Sequence, residues 1–446
     1  MERIAILGSG MAGFGAAHRL REEGISPVVY DKNIYHGGHT ASFKHDTGFI
    51  FDEGPHVSFT QHKRLQELFA ESVGQKYEVI HARPNNYWKG HWIKHPAICN
   101  LHGLPTDLVV NCLRDFVEAQ NAQKNGTTAG RPIENYADWL IASYGKTFAE
   151  TFPMEYGLKY HTTTADNMST AWLGPRLYQA KLEEVLVGAL SPETPHVHYV
   201  DHVRYPSFEG FVSYLNPLPK QTEINLGHKL VGLDPAKHEL RFANGVVARY
   251  DAVVSSIPLT ELIPLIAGVP PDVVEAAKKL ACSSCVMINL GVDRTDLSEG
   301  QWTYYYDSDI CFTRLSFPHM FSPHTCPPGY GSIQAEVYYS DKYRPLKGVP
   351  TDYVAPVIAD LKRVGVLREN DKIVHTNVHL SRYAQVIFDL ERADALAIVH
   401  GYLNDIGVAY CGRYGDWLYI WTDEAFISGE NAAQKVLDHM AAAKSR

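Results

Sequence analysis

Ile4-Ala5-Ile6-Leu7 is a short apolar run that leads directly into Gly8-Ser9-Gly10-Met11-Ala12-Gly13. Few features restrict the fold of a chain so strongly. The spacing predicts a strand, a glycine turn and a helix over Phe14 to Glu23, with Ala16, Ala17 and Leu20 at helical intervals. Pro27-Val28-Val29-Tyr30 reads as a second strand ending at Asp31. Strand, glycine loop, helix, strand and acid, in that order, form the context a dinucleotide fingerprint requires. Gly8 permits the tight turn, Gly10 lets the backbone approach a pyrophosphate, and Gly13 lets the helix pack against the strand. Met11 and Ala12 in this loop are candidate contacts, and the N-terminus of the helix that follows offers N–H groups to phosphate. Asp31 is placed to accept hydrogen bonds from a ribose. The bland alternative is a plain glycine-rich turn.

A second glycine pair, in Gly37-Gly38-His39-Thr40, follows soon after Asp31. It suits FAD, whose ribityl portion runs on past the first loop, and makes Gly38, His39 and Thr40 candidate contacts. Leu230, in a predicted Lys229–Leu233 strand, is another. Near the C-terminus, Gly412-Arg413-Tyr414-Gly415-Asp416 leads through Tyr419 and Trp421 to Thr422 and Asp423. The expectation is a strand passing through a glycine-flanked arginine to an acid that opens a helix. Such a helix start would aim N–H groups at a flavin ring oxygen, and Arg413 would add a positive charge. The alternative is a surface loop capped by Asp423.

With 446 residues the chain is about three times the ~150-residue domain prior, so two or three domains are expected. A composition 45% hydrophobic and 20% charged excludes a disordered chain. A net charge of −9 argues against a nucleic-acid partner. No apolar run reaches the ~18 residues a membrane span needs, and no export signal opens the chain. Seven cysteines, an odd number at low density, form no disulfide framework and predict a cytoplasmic protein. The 26 tyrosines and 7 tryptophans suit a deep site lined by rings.

The pattern predicts an α/β fold: a Rossmann-like FAD-binding domain split by insertions, a mixed-sheet substrate domain and an inserted helical domain. The expected boundaries are 1–104 for the first FAD-binding part, 105–190 for the helical insertion and 191–265 for the second FAD-binding part. Residues 266–400 would form the substrate sheet domain, and 401–446 the last FAD-binding part. Tyr87-Trp88 and Trp92-Ile93 read as a hairpin within the first part, and Asn125–Pro132 as a surface loop. Asn244-Gly245 is a strong hairpin turn. Tyr304-Tyr305-Tyr306 alternates faces in a strand, so only Tyr304 and Tyr306 share one side. Cys282-Ser283-Ser284-Cys285 has redox spacing but no thioredoxin context, and packing thiols are favoured. No Cys/His set has zinc spacing.

The glycine loop, Asp31, Gly37-Gly38 and Gly412-Arg413 together resemble the flavoprotein group of amine oxidases, protoporphyrinogen oxidase and phytoene desaturase. Within that group the chain is most similar to the UDP-galactopyranose mutases. Gly54-Pro55-His56 resembles their histidine turn beside the flavin, which implies roles for Pro55 and His56. Tyr156-Gly157-Leu158-Lys159-Tyr160 stands where they carry a Tyr-x-x-Lys segment, and Trp172-Leu173-Gly174-Pro175-Arg176 resembles a Trp-Leu-Gly-x-Arg segment. Trp302-Thr303-Tyr304 followed by Arg314 is similar to their diphosphate-holding pair, and Arg413 with Tyr419 to a further pair.

The resemblance implies FAD as cofactor and a nucleoside-diphosphate sugar as small-molecule partner, held by Tyr156, Arg176, Tyr304, Arg314 and Tyr419. It implies that N5 of reduced flavin attacks the anomeric carbon, with His56 and Arg413 beside the reaction. Two arginines converging on one cleft would then form a local positive site. The residues leave alternatives open. Arg176 also reads as a surface salt bridge, Arg314 as part of an exposed strand face and His56 as a structural turn histidine. Gln385-Val386 replaces a Tyr-Pro of the family, and Trp421 an acid. The competing activity is an FAD-dependent oxidase or desaturase, and a homo-oligomer stays open.

Overall fold

In spatial order, the strands Val408–Tyr410, Ala252–Ser255, Ile4–Leu7, Val28–Tyr30 and Glu223–Asn225 form a five-stranded parallel sheet. The computed structural model describes residues 3–124, 132–174, 177–194 and 200–444. Ile4-Ala5-Ile6-Leu7 is apolar throughout because both faces of the sheet are covered. Ile4 and Ile6 pack with Ala16, Leu20, Ala433 and Val436 on one side, while Ala5 and Leu7 pack with Leu259, Val273, Val399 and Leu403 on the other.

The first helix, Met11–Glu22, begins directly at Gly10, earlier than the apolar pattern predicts. It runs beside the C-terminal helix Thr422–Lys444. The two approach until backbone meets backbone. A Cβ on Gly15 would lie 2.0 Å from the Phe426 carbonyl oxygen, and one on Gly429 1.8 Å from that of Ala12. Gly412 N–H donates to Ser428 Oγ at 2.8 Å, which ties the same helix to the loop after the last strand.

A second, seven-stranded sheet runs Ile373–Val386, Cys282–Val292, Gly331–Tyr339, Arg314–Ser316, Trp302–Tyr305, Pro84–Trp88, His91–Lys94. Its pairs are antiparallel except where Trp302–Tyr305 lies parallel to Pro84–Trp88. The hairpin at residues 84–94, expected within the first FAD-binding part, is thus the edge of this seven-stranded sheet. Nothing near it in sequence marks this, because its partner strand Trp302–Tyr305 comes only in the last third of the chain. The helices Thr106–Lys124, Tyr136–Tyr144, Lys146–Thr151, Pro153–His161 and Leu182–Leu190 make the helical insertion around Phe116, Leu140, Phe148 and Phe152. The loop expected at Asn125–Pro132 lies, up to Arg131, outside the described residues. Asn244-Gly245 turns between Glu239–Phe242 and Val247–Arg249 as expected. No helix of the described residues is long and apolar enough to cross a membrane.

Replacing Gly429 by valine forces the two helices apart. We expect a loss of about 1–3 kcal/mol, the usual cost of overpacking, as a lower urea midpoint, with a matching loss for Gly15→Val.

Candidate functional site

The central strand Ile4–Leu7 is flanked on one side by the next strand of the chain, Val28–Tyr30, and on the other by the distant Ala252–Ser255, and a crevice opens at the C-terminal ends of the strands. Ligands bind parallel α/β sheets at such a switch point. Here the crevice is a cavity of about 980 Å³, at the upper end of the range for small-molecule sites. Its wall includes Gly8, Gly10, Met11, Ala12, Asp31, Gly38, His39, Thr40, Leu230, Gly412, Arg413 and Thr422. Gly13 stands behind the wall: a Cβ there would lie 1.9 Å from the Gly8 carbonyl oxygen. The two glycine pairs meet, Gly37 N–H donating to the Ser9 carbonyl at 2.8 Å. Asp31 takes Ser9 N–H and Oγ–H on one oxygen, at 2.8 and 2.7 Å, and Asn33 N–H on the other at 2.8 Å. The oxygen that accepts only Asn33 N–H keeps lone-pair capacity for a ribose hydroxyl. A bare glycine floor, a helix N-terminus and a buttressed acid fit the phosphates and ribose of a dinucleotide.

The C-terminal expectation needs correcting in two places. Arg413 does not lie on a strand: the strand ends at Tyr410, and Arg413–Trp417 forms a wide π-helical turn. Asp423 neither caps the helix nor lines either cavity. The helix begins at Thr422, and Glu424 reaches back to accept Trp421 N–H at 2.7 Å. Arg413 Nε and Nη2 donate to the Ile420 carbonyl, and Nη1 donates to the Ala384 carbonyl and Gln385 Oε1. Its acceptors are all neutral, so its positive charge is not cancelled locally.

A deeper cavity of about 360 Å³ adjoins the first. The two share His39, Glu53, His56, Tyr383, Arg413, Trp421 and Thr422, which mark the place where a dinucleotide's far end would face a substrate. His56 Nδ1 lies 2.7 Å from the Gly54 carbonyl, an acceptor, so Nδ1 carries the proton and Nε2 is a free acceptor. Burial holds the His56 pKa down to about 4, and the ring is neutral near pH 7. Pro55 lines the deep cavity beside it. Burial works against the Glu53 charge, but the imidazoles of His379 and His39 outweigh it and hold the carboxyl at about 2. Glu53 Oε1 sits 3.2 Å from His39 Nδ1 and 3.8 Å from His379 Nε2.

Tyr156, Tyr304, Arg314 and Tyr419 all line the deep cavity, and Arg176 lies outside the described residues. The Tyr156 ring stacks on Tyr160 and meets Tyr304 edge-on, each at 5.5 Å between centroids. Tyr160 and Tyr419 hydroxyls are 3.3 Å apart. Tyr304 and Tyr306 share the cavity side, and Tyr305 turns away to Tyr87 and Phe312, as strand alternation requires. Sequence reasoning missed Tyr160, Tyr306, Tyr338, His161 and Glu336. Tyr160 was within reach, since it stands one helical turn after Tyr156 on the same face.

Arg314 departs from both expectations. It is not on an exposed strand face, and it does not add a free positive charge. Adjacent strands place Glu336 opposite it. Nε and Nη2 donate to the two Glu336 oxygens at 2.7 and 2.8 Å, and the Tyr338 hydroxyl donates to the same carboxylate. The Glu336 side chain is only 2% exposed. Lys159, in the segment likened to Tyr-x-x-Lys, is also buried and donates to the Tyr305 and Asp307 carbonyls, tying its helix to the sheet. Cys282 and Cys285 are free thiols, and burial pushes both upward in pKa.

The sequence profile of the flavin containing amine oxidoreductases matches residues 11–437. The chain belongs to that family. It is an FAD-dependent enzyme. A 15-cis-phytoene desaturase of Synechococcus elongatus is 30% identical over 89 residues, 20% of this chain and 17% of the relative. The aligned stretch thus spans about a sixth of that curated relative. A structure of reduced UDP-galactopyranose mutase superposes with a TM-score of 0.90 at 24% identity, covering 98% of this chain and 96% of that one. A protein of Exiguobacterium sp. 255-15, described as a protoporphyrinogen oxidase, superposes at 0.72 with 17% identity, covering 98% of each chain. At such identities the superpositions establish the fold.

The glycine floor and the buried ion pair can each be tested in this flavoenzyme. A Cβ at Gly10 would meet nothing closer than 3.6 Å, so Gly10→Ala should fold normally yet bind FAD at least tenfold more weakly. Gly13→Ala should lower the melting temperature itself; flavin absorbance and calorimetry separate the two. Arg314→Ala strands the buried Glu336 charge and should cost about 3–5 kcal/mol in urea unfolding. The double variant Arg314→Met/Glu336→Gln should recover most of that loss.

Proposed function

We propose that this flavoenzyme rearranges the sugar of a nucleoside diphosphate sugar between pyranose and furanose forms. The observation that carries this reading is the deep cavity, walled by tyrosine and tryptophan rings and opening onto the dinucleotide crevice at His56 and Arg413. Aromatic faces accept the C–H faces of a sugar ring, and phenol hydroxyls bind its oxygens. A polyene of carotenoid length would instead need a long apolar channel. The whole-chain likeness to UDP-galactopyranose mutase supports the same reading.

FAD, when bound and reduced, supplies a nucleophilic nitrogen that can attack an anomeric carbon. The chain's own residues do the rest by positioning. Tyr156, Tyr304 and Tyr419 would orient the sugar nucleotide with neutral hydroxyls. Arg413 would stabilise negative charge at the junction of the cavities. His56 Nε2, held neutral, would accept a hydrogen bond without adding charge. Because Arg314 is already paired with Glu336, the diphosphate would lean on Arg413, with Arg176 a candidate through the resemblance of its segment. No protein nucleophile is needed.

The second reading, an oxidase or desaturase, is favoured by the desaturase relatives and by the Arg314–Glu336 pair, which weakens the pull of the cavity on a dianion. Dithionite-reduced holoenzyme given UDP-, GDP- and dTDP-pyranoses should yield a furanose isomer without net consumption of reductant. The matching free diphosphate should raise the melting point, about 2.7 kcal/mol of stabilisation at a hundredfold excess over Kd. Failure of every sugar nucleotide, together with peroxide release from an amine, porphyrinogen or polyene, would replace the mutase by the oxidase.

A further inference from the structure

The strands Tyr77–His81 and His202–Pro206 form an antiparallel pair in which His81 stands opposite His202. Directly opposed residues share one face of the ribbon. The two imidazole centroids are 5.3 Å apart, with the rings inclined at 56°. Asp201 puts one carboxylate oxygen 2.9 Å from His81 Nδ1 and the other 2.8 Å from His202 Nδ1. The three donor atoms all lie within 4.8 Å of one another.

We propose that His81, Asp201 and His202 bind a divalent transition-metal ion of the zinc class, and that the ion braces one wall of the deep cavity. Two imidazole nitrogens and a carboxylate oxygen form a borderline donor set that suits Zn²⁺, Co²⁺ or Ni²⁺, whereas Ca²⁺ and Mg²⁺ prefer oxygen alone. Ligands at ~2.1 Å from a tetrahedral zinc stand roughly 3.3 Å from each other. The present nitrogen–oxygen contacts therefore open by about half an ångström to admit the ion. On binding, each ring keeps its proton on Nε2 and offers Nδ1, and the carboxylate offsets one of the two charges. Asp201 and His202 are exposed, so the ion reaches them directly, and water completes its coordination.

Val200 and Val203 lie on either side of Asp201-His202 and line the deep cavity, where they pack with Ala82, Val57, Phe59 and Trp302. His81 and His202 are the last registered pair at one end of a two-stranded ribbon, a structure of marginal stability by itself. An ion joining its ends prevents fraying there and fixes the valine wall. The site uses none of the flavin-facing residues, so it stands or falls independently of the mutase reading.

The test uses FAD-loaded, full-length protein freed of metal with EDTA and dialysed into a non-chelating buffer. Calorimetric titration with ZnCl₂ should show one ion per chain in the micromolar range or tighter, with a rise in melting temperature that MgCl₂ does not give. Asp201→Asn and His202→Ala should each weaken zinc at least tenfold, while FAD content and the metal-free melting temperature stay unchanged. Absence of zinc binding in the parent protein overturns the proposal. So does undiminished binding in both variants, which would place the ion on others of the 22 histidines.

Discussion

The contact between the two ends of the chain governs the rest of the structure. Glycines at positions 15 and 429 let the first and last helices approach to backbone contact, and Gly13 lets the first helix sit on the turn at Gly8. Because the helices cannot separate, Gly412 and Arg413 are delivered beside Met11 and Ala12, and one crevice is built from opposite ends of the sequence. Contacts of this kind are unforgiving, since a single methyl group on either helix would overlap a carbonyl oxygen. The intervening chain can then be long and varied. The chain leaves the five-stranded sheet after Val28–Tyr30 to return at Glu223–Asn225, and again after Ala252–Ser255 to return at Val408–Tyr410.

What could be read from the residues alone follows from how local its cause is. The strand, glycine loop and helix at the N-terminus are legible because periodicity and glycine placement act within one strand–helix–strand unit. The facing of Tyr304 and Tyr306, and the helical insertion, are legible for the same reason. The pairing of Arg314 with Glu336 is not, because it depends on the register of two strands, and a one-residue slip would turn Glu336 to the opposite face. The meeting of Glu53, His39 and His379 draws on separate segments from both halves of the chain. The membership of the 84–94 hairpin in the seven-stranded sheet likewise draws on a distant partner, the strand Trp302–Tyr305. The turn at Arg413 was misjudged as strand because Tyr419, Ile420 and Trp421 carry strand-like side chains without a strand to pair with.

Charge is distributed unevenly between the cavities, and the distribution bears on chemistry. In the deep cavity the guanidinium of Arg314 and the carboxylate of Glu336 form a close pair whose field falls away faster than that of a single ion. Around it stand tyrosines whose burial raises their pKa values, so their hydroxyls stay protonated as donors. The interior is polar but close to neutral. At the junction the balance differs: Arg413 donates only to neutral acceptors, and ionised Glu53 is matched against imidazoles.

A ligand carrying a neutral polyhydroxylated ring and a separate anionic group would therefore divide itself between these surroundings. The ring suits the neutral, ring-walled interior. The anion would gain little beside Arg314, because drawing that guanidinium away from Glu336 leaves a buried carboxylate unpaired. A cation not already paired with a carboxylate is needed for it, and among the described residues Arg413 at the junction is one. The same reasoning constrains the oxidase alternative. A polyene would use the aromatic wall but has no polar atom to meet the paired hydroxyls of Tyr160 and Tyr419, 3.3 Å apart. The polarity of the wall thus selects among substrates before the identity of any cation does.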